Sequence, residues 1–219
     1  MSEETATIKT STNANKNSAK ALFLGFELPF MQQISGIGVV ATQISQIVAL
    51  FNPELAPYVP VIITFLQNLA TFGAFFALSK FGRRPILLFG NFSLGFFDLM
   101  LGILFYFSEW GPAITIVLII LTVYMMIFGF TTGPLVWAYV PEIITPDVVP
   151  YATCLNWIGC SFGIVVTPIL THLVGSPYPV FFIFGSCSLI LFIFNAMWLV
   201  ETKGLTPTEI KLKFNEKNE

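Results

Sequence analysis

Lys80-Phe81-Gly82-Arg83-Arg84-Pro85 lies between two apolar runs, 58–79 and 85–107. A helix needs roughly 17–25 apolar residues to cross a bilayer, and both runs reach that length. A connector this short turns the chain straight back: Gly82 suits a helix C-cap and Pro85 a helix start. Outward from it, further apolar runs fall at 22–50, 112–140, 150–173 and 178–200. They are joined by Asn52-Pro53-Glu54, by Ser108-Glu109-Trp110-Gly111-Pro112, by 141–150 and by Gly175-Ser176-Pro177. The pattern predicts an all-α membrane protein with six transmembrane helices. Composition agrees, with 55% hydrophobic and 10% charged residues and a mean hydropathy of +0.81, against about 25% charged in a soluble domain.

The cations set the orientation. All ten Lys and Arg fall in three groups: Lys9, Lys16 and Lys20; Lys80, Arg83 and Arg84; Lys203, Lys211, Lys213 and Lys217. Six crossings place the three groups on one side, so the positive-inside bias predicts that both termini are cytoplasmic. Six spans also divide into two units of three, as in inverted-repeat transporters. The expected organisation is a disordered cytoplasmic segment over 1–20, a six-helix bundle over 21–200 and a cytoplasmic tail over 201–219. Residues 1–20 lack the ordered regions of a signal peptide. A net charge of −2 offers no basic face to nucleic acid. The expected location is the plasma membrane, as a multi-pass protein, with an internal membrane as the alternative.

Polar side chains inside hydrocarbon are costly, and they mark either helix contacts or hydrated sites. The first run carries Gln32, Gln33 and Ser35, then Thr42, Gln43, Ser45 and Gln46. As one continuous helix it places Gln32, Ser35 and Val39 on one face, and Gln33, Gly36 and Val40 on another. That many amides suggests a hydrated lining; interhelical hydrogen bonding is the alternative. Gln67 and Asn68 stand mid-span in the second run. Amides both donate and accept, and an indole adds a flat apolar face with one N–H, a combination that suits a neutral polyhydroxy ligand.

In the fourth run, Thr131-Thr132-Gly133-Pro134-Leu135-Val136-Trp137 predicts a kink at Pro134, with Gly133 and Pro134 as a hinge and the threonines capping freed carbonyls. Asp98, mid-span in the third run, reads either as a proton or cation site or as a neutral or paired acid between helices. Glu27, near a membrane end, is expected to snorkel. Gly159-Cys160-Ser161-Phe162-Gly163 matches a hydrolase elbow in spelling, but no strand precedes it and no Asp follows. Gly159 with Gly163, and Gly129 with Gly133, read instead as small-residue helix contacts. His172 and the three cysteines form no ligand set, and no cofactor is implied. No acid, base, nucleophile and metal converge, which argues against an enzyme. At the cytoplasmic face, Arg83 and Arg84 with Glu142 and Glu201 are placed for inter-helix salt bridges that gate the bundle, or simply carry the topology signal.

Several strings together resemble the sugar porter family of the major facilitator superfamily. They are Gln32-Gln33-Ile34-Ser35-Gly36-Ile37, Gly82-Arg83-Arg84, Gly133-Pro134-Leu135-Val136-Trp137, Pro141-Glu142-Ile143, Asn156-Trp157 and Glu201-Thr202-Lys203-Gly204-Leu205-Thr206. The resemblance covers about 21–210 and is to the C-terminal six-helix half of that fold, itself built of 3+3 inverted repeats. It implies sugar held between two bundles. Gln32 and Gln33 would bond sugar hydroxyls, Trp137 would pack on the ring, Gln67 or Asn68 would supply an amide, and Asn156 would lie near the site. Gly38 stands where the family has a sugar-contacting asparagine, and Gly129 replaces an acid. The implied function is alternating-access transport of a hexose or similar polyol. The implied partners are the sugar, the bilayer, and a missing N-terminal half or a second copy. The alternative is a non-transporting membrane protein that binds sugar or regulates a full-length transporter.

Overall fold

Ser18 opens the first helix: its hydroxyl accepts the Ala21 N–H at 3.1 Å, the usual satisfaction of an unpaired first-turn donor. Asn17 fastens the same end to the opposite loop. Its side chain donates to Thr145 Oγ1 at 2.7 Å and accepts the Thr145 N–H at 3.0 Å. Residues 17–20, expected within a disordered segment, are therefore tied to the bundle. The computed structural model describes residues 17–49, 52–107 and 114–215, without the side chains of Gln43, Ile47 and Ile114. The rest of the 1–20 expectation and the connector at 108–112 lie outside the described residues, as does the Gln43 side chain.

Among the described residues, five helical segments are long and apolar enough to cross a membrane: Val59–Phe81, Arg83–Tyr106, Thr115–Ile143, Val149–Val174 and Tyr178–Trp198. The expected continuous helix over 22–50 is instead two, α1 (Ala19–Ile34) and α2 (Ile37–Ala49). Gly36, at φ 87°, breaks them in a conformation that favours glycine. The predicted shared faces across Ser35 and Gly36 are lost with it. Two carbonyls freed by the break find other donors. Ser35 Oγ donates to Gln32 O at 2.7 Å, and Tyr124 OH donates to Ser35 O at 2.6 Å. Broken backbone survives at membrane depth only where it is so satisfied.

Helices α3 (Val59–Phe81) and α4 (Arg83–Tyr106) follow, then α5 (Ile114–Phe130) and α6 (Thr132–Ile143). The break between the last two falls at Thr131 (φ −120°, ψ −100°), three residues before the predicted kink. Pro134 lacks the N–H that would hold Phe130 O, so the helix yields one turn upstream. Thr131 Oγ1 donates to Ile127 O at 2.6 Å, a carbonyl that the Thr131 N–H already holds, and Thr132 Oγ1 has no partner, so neither threonine caps a freed carbonyl. Helices α7 (Val149–Val174) and α8 (Tyr178–Trp198) complete the apolar set. The segment after them is not a loose tail. Helix α9 (Pro207–Asn215) is opened by a reciprocal Thr206–Glu209 cap, and it buries Ile210 and Phe214 against the bundle.

Three pairs pack most extensively: α1 with α7, α3 with α5, and α4 with α8. Glycines allow the approach. A Cβ on Gly185 would lie 2.9 Å from Gly95 O, and one on Gly129 would lie 2.5 Å from Gln67 O. Gly159 and Gly163 face Phe30 and Val39, as a small-residue contact requires. Gly133 does not share that role with Gly129, since it faces Phe128, just across the break.

Candidate functional site

The two breaks meet through one amide. Gln32, at the end of α1, donates Nε2 to Thr132 O at 2.9 Å and to Gly133 O at 3.2 Å, both in the first turn of α6. A helix carbonyl keeps a second lone pair, so these bonds add to the helix ladder. Gln32 Oε1 in turn accepts Asn156 Nδ2 from α7 at 3.0 Å, and the same Nδ2 reaches Pro29 O at 2.7 Å. Gln32 and Asn156 are both buried. Every polar atom of the Gln32 amide is thus spent on protein.

Gln33 differs. Its Nε2 donates to Asn156 Oδ1 at 3.3 Å, but its Oε1 is buried without a partner. That oxygen sits beside Gly38, where a Cβ would approach it to 3.0 Å. Gln33 lines a cavity of about 510 Å³ with Gln32, Asn156 and Gln67. Thr71, Thr153, the Gly133-Pro134 turn and the rings of Trp137, Trp157 and Phe128 line it too. Amides, hydroxyls and flat rings around one space can hold a neutral polar molecule without burying a charge.

The predicted residues therefore divide. Gln32, Gln33, Gln67, Trp137 and Asn156 come together around the cavity, and Gly133 and Pro134 form part of its lining. Asn68 is exposed and is not among the lining residues. Thr71, Thr153 and Trp157 were missed. Thr71 follows Gln67 by four residues and Thr153 precedes Trp157 by four, a one-turn spacing that marks a shared face. Thr42, read as part of a hydrated lining, donates back to Gly38 O at 2.7 Å. Asp98 is fully buried, with neither carboxyl oxygen hydrogen-bonded.

The charges at the Arg83 end of the bundle form caps more than salt bridges. One pair is as expected: Arg83 Nη2 to Glu142 Oε1 at 2.8 Å, with Thr202 Oγ1 on Oε2 at 2.6 Å. Glu201, however, takes no arginine side chain. It accepts the backbone N–H of Arg83 and of Arg84, each at 3.0 Å, and that of Lys203 at 2.8 Å. A carboxylate there offsets the unpaired amides and positive dipole end of α4. Partial burial works to raise the Glu201 pKa, but these amides and that of Thr202 outweigh it and hold the carboxyl below its ordinary value. Arg84 Nη2 meets Ala196 O at the end of α8, and Lys203 Nζ meets Lys80 O at the end of α3. Cations at helix C-termini are favourable for the same reason.

A family model described as "Sugar (and other) transporter" matches residues 1–214. The chain is similar to the facilitated trehalose transporter Tret1 of Apis mellifera ligustica, at 30% identity over 214 residues, covering 91% of this chain and 41% of that protein. It is also similar to hexose transporter 1 of Plasmodium yoelii yoelii, at 30% identity over 191 residues, covering 84% and 37%. It thus spans less than half the length of these relatives. Among solved structures, a proton:xylose symporter, XylE, bound to 6-bromo-6-deoxy-D-glucose superposes with a TM-score of 0.76 at 21% identity, over 89% of this chain and 42% of that one. The inward-open xylose transporter from E. coli gives 0.74 at 23% identity, over 97% and 46%.

Proposed function

The chain belongs to the sugar (and other) transporter family, and from that membership we propose that it is one six-helix bundle of a sugar transporter. Helices α1 and α2 together make the first crossing, and α5 with α6 the fourth. The dominant pairs support 3+3 repeats. Exchanging spans one, two and three with four, five and six turns the α1–α7 contact into α5–α3 and maps α4–α8 onto itself. The two broken helices occupy corresponding places in the two units, a placement that points to a binding site in inverted-repeat transporters. Both termini lie on the cytoplasmic face, and the membrane is the plasma membrane.

The cavity forms one wall of a site for a hexose or similar polyol. An N-terminal bundle or a second copy supplies the facing wall, and the two rock about the site in alternating access. The observation that carries this reading is the cavity of about 510 Å³ that Gln32, Gln33, Gln67 and Asn156 line together with the rings of Trp137 and Trp157. Gln33 is the hydroxyl-binding amide, Trp137 the ring face and Gln67 the contribution of α3. Asn156 positions both glutamines. Gly133 and Pro134 are the hinge. Arg83, Arg84, Glu142 and Glu201 gate the cytoplasmic end by uncapping helices when the bundle opens. Asp98, fully buried with neither carboxyl oxygen bonded, is either a proton site or a neutral acid between helices. The protein is a transporter and not an enzyme.

Gln33→Ala tests the site. One charge-free hydrogen bond is worth about 1 kcal/mol, so sugar affinity falls about five-fold to ten-fold, with a smaller drop in unfolding temperature than Gln32→Ala because only the 3.3 Å bond to Asn156 Oδ1 goes with it. Sugar binding to the two-bundle protein, followed by quenching of the cavity tryptophans, measures it. Unchanged affinity removes Gln33 from the site.

A further inference from the structure

Glu27 does not snorkel. It is 9% exposed and points across to α8, where Asn195, 1% exposed, donates Nδ2 to Glu27 Oε1 at 3.3 Å. The other oxygen of each group, Glu27 Oε2 and Asn195 Oδ1, is buried with no partner. Two oxygens left over from one carboxyl and one amide are complementary only if a proton lies between them. A carboxylic acid and a primary amide then pair in a closed ring, acid O–H to amide oxygen and amide N–H to acid oxygen. An ionised Glu27 leaves both oxygens buried and unsatisfied in a low-dielectric interior, which is strongly unfavourable.

Among the described residues, no ion pair reaches Glu27. Arg83 pairs with Glu142, Lys20 lies over the Phe214 ring, and Arg84 Nη2 meets Ala196 O while its Nε is buried without a partner. Tyr139 donates to Val200 O. Helices α2, α7 and α8 carry no Asp, Glu, Lys or Arg, and the titratable groups of α7 are Tyr151, Cys154, Cys160 and His172. Beside the pair is a cavity of about 10 Å³, room for one water. Asn195, Ser188 and Thr132 line it, and Ser188 Oγ and Thr132 Oγ1 are likewise buried and unpartnered. Thr132 also carries the carbonyl held by Gln32, so this pocket backs directly onto the α5/α6 break.

We propose that Glu27 and Asn195 form a proton-binding site behind the wall of the large cavity. The bound proton closes α1 onto α8 beneath the α5/α6 break. Loss of the proton places a carboxylate against the Asn195 carbonyl and loosens that contact. This holds whether or not the chain moves sugar.

The test is the thermal unfolding midpoint of the full chain in detergent as a function of pH. The folded protein holds a proton that the unfolded chain releases, so stability falls as pH rises. The wild-type midpoint should drop by several degrees from mildly acidic to mildly alkaline pH. Glu27→Gln reproduces both bonds of the acid–amide pair without a titrating group. Its midpoint should match or exceed that of the wild type at alkaline pH, with this slope removed. Infrared difference spectra between the two proteins should show a protonated-carboxyl band belonging to Glu27. A Glu27→Gln variant that fails to fold, or that keeps the wild-type slope, would overturn the proposal. So would a carboxylate band for Glu27 at neutral pH.

Discussion

A Gln32→Ala variant is expected to lose about 2–4 kcal/mol of stability, the sum of three interhelical hydrogen bonds and the void left by a buried side chain. The bonds are those to Thr132 O, to Gly133 O and from Asn156 Nδ2. Removing Gln32 leaves one Asn156 N–H buried and unpaired, and separates α1 from α6. Membrane hydrogen bonds often contribute less than this, because the separated helices find other partners. Here three elements converge on one amide, so replacements do not form together. The unfolding temperature in detergent, beside that of Gln33→Ala, decides the matter. The two neighbouring amides should behave oppositely: Gln32 through stability and Gln33 through ligand affinity. Equal stability of the two variants would contradict the division.

Gly82→Ala is the second large effect. Gly82 has φ 89°, and a Cβ there would lie 2.6–2.8 Å from the Glu201 carboxyl. The substitution strains the backbone and displaces the carboxylate that caps α4, a combined cost of about 2–5 kcal/mol. A pH dependence accompanies it. The folded pKa of Glu201 is lowered, so its contribution is present at neutral pH and is lost as pH falls through the folded value. Acid should therefore destabilise the wild type more than Glu201→Gln or Gly82→Ala. Unfolding midpoints of the three proteins at neutral and acidic pH check this. A Gly82→Ala protein as stable as the wild type would refute the cap.

Much of this was legible in the sequence, and the exceptions have physical causes. The long apolar helices follow from hydropathy, because a bilayer tolerates little else. The break at Gly36 escaped notice because a Ser-Gly pair inside an apolar run carries the same hydropathy whether helical or not. It becomes visible only through Tyr124, a residue 89 positions away that satisfies Ser35 O. Pro134 marked the other break but not its place, since the carbonyl a proline frees lies four residues upstream. Gln32 and Gln33 are indistinguishable as residue types; burial and partners alone assign one to structure and leave the other with a free oxygen. Arg84 and Glu201 looked like a salt bridge because opposite charges at one face suggest it. Their positions at helix ends direct them to backbone groups instead. Glu27 was misread because a charge near a membrane edge usually faces water, and nothing local reveals Asn195, 168 residues on.

On the proposed reading, this bundle supplies one wall of a sugar site and needs a facing bundle to move its ligand. Uptake of labelled hexose into transport-deficient cells tests it most directly, with this chain expressed alone, with an N-terminal six-helix half of a relative, and with that half plus Gln33→Ala. Uptake is expected only where both bundles are present, reduced by the substitution. No uptake in the paired cells, or uptake that is indifferent to Gln33, would contradict it.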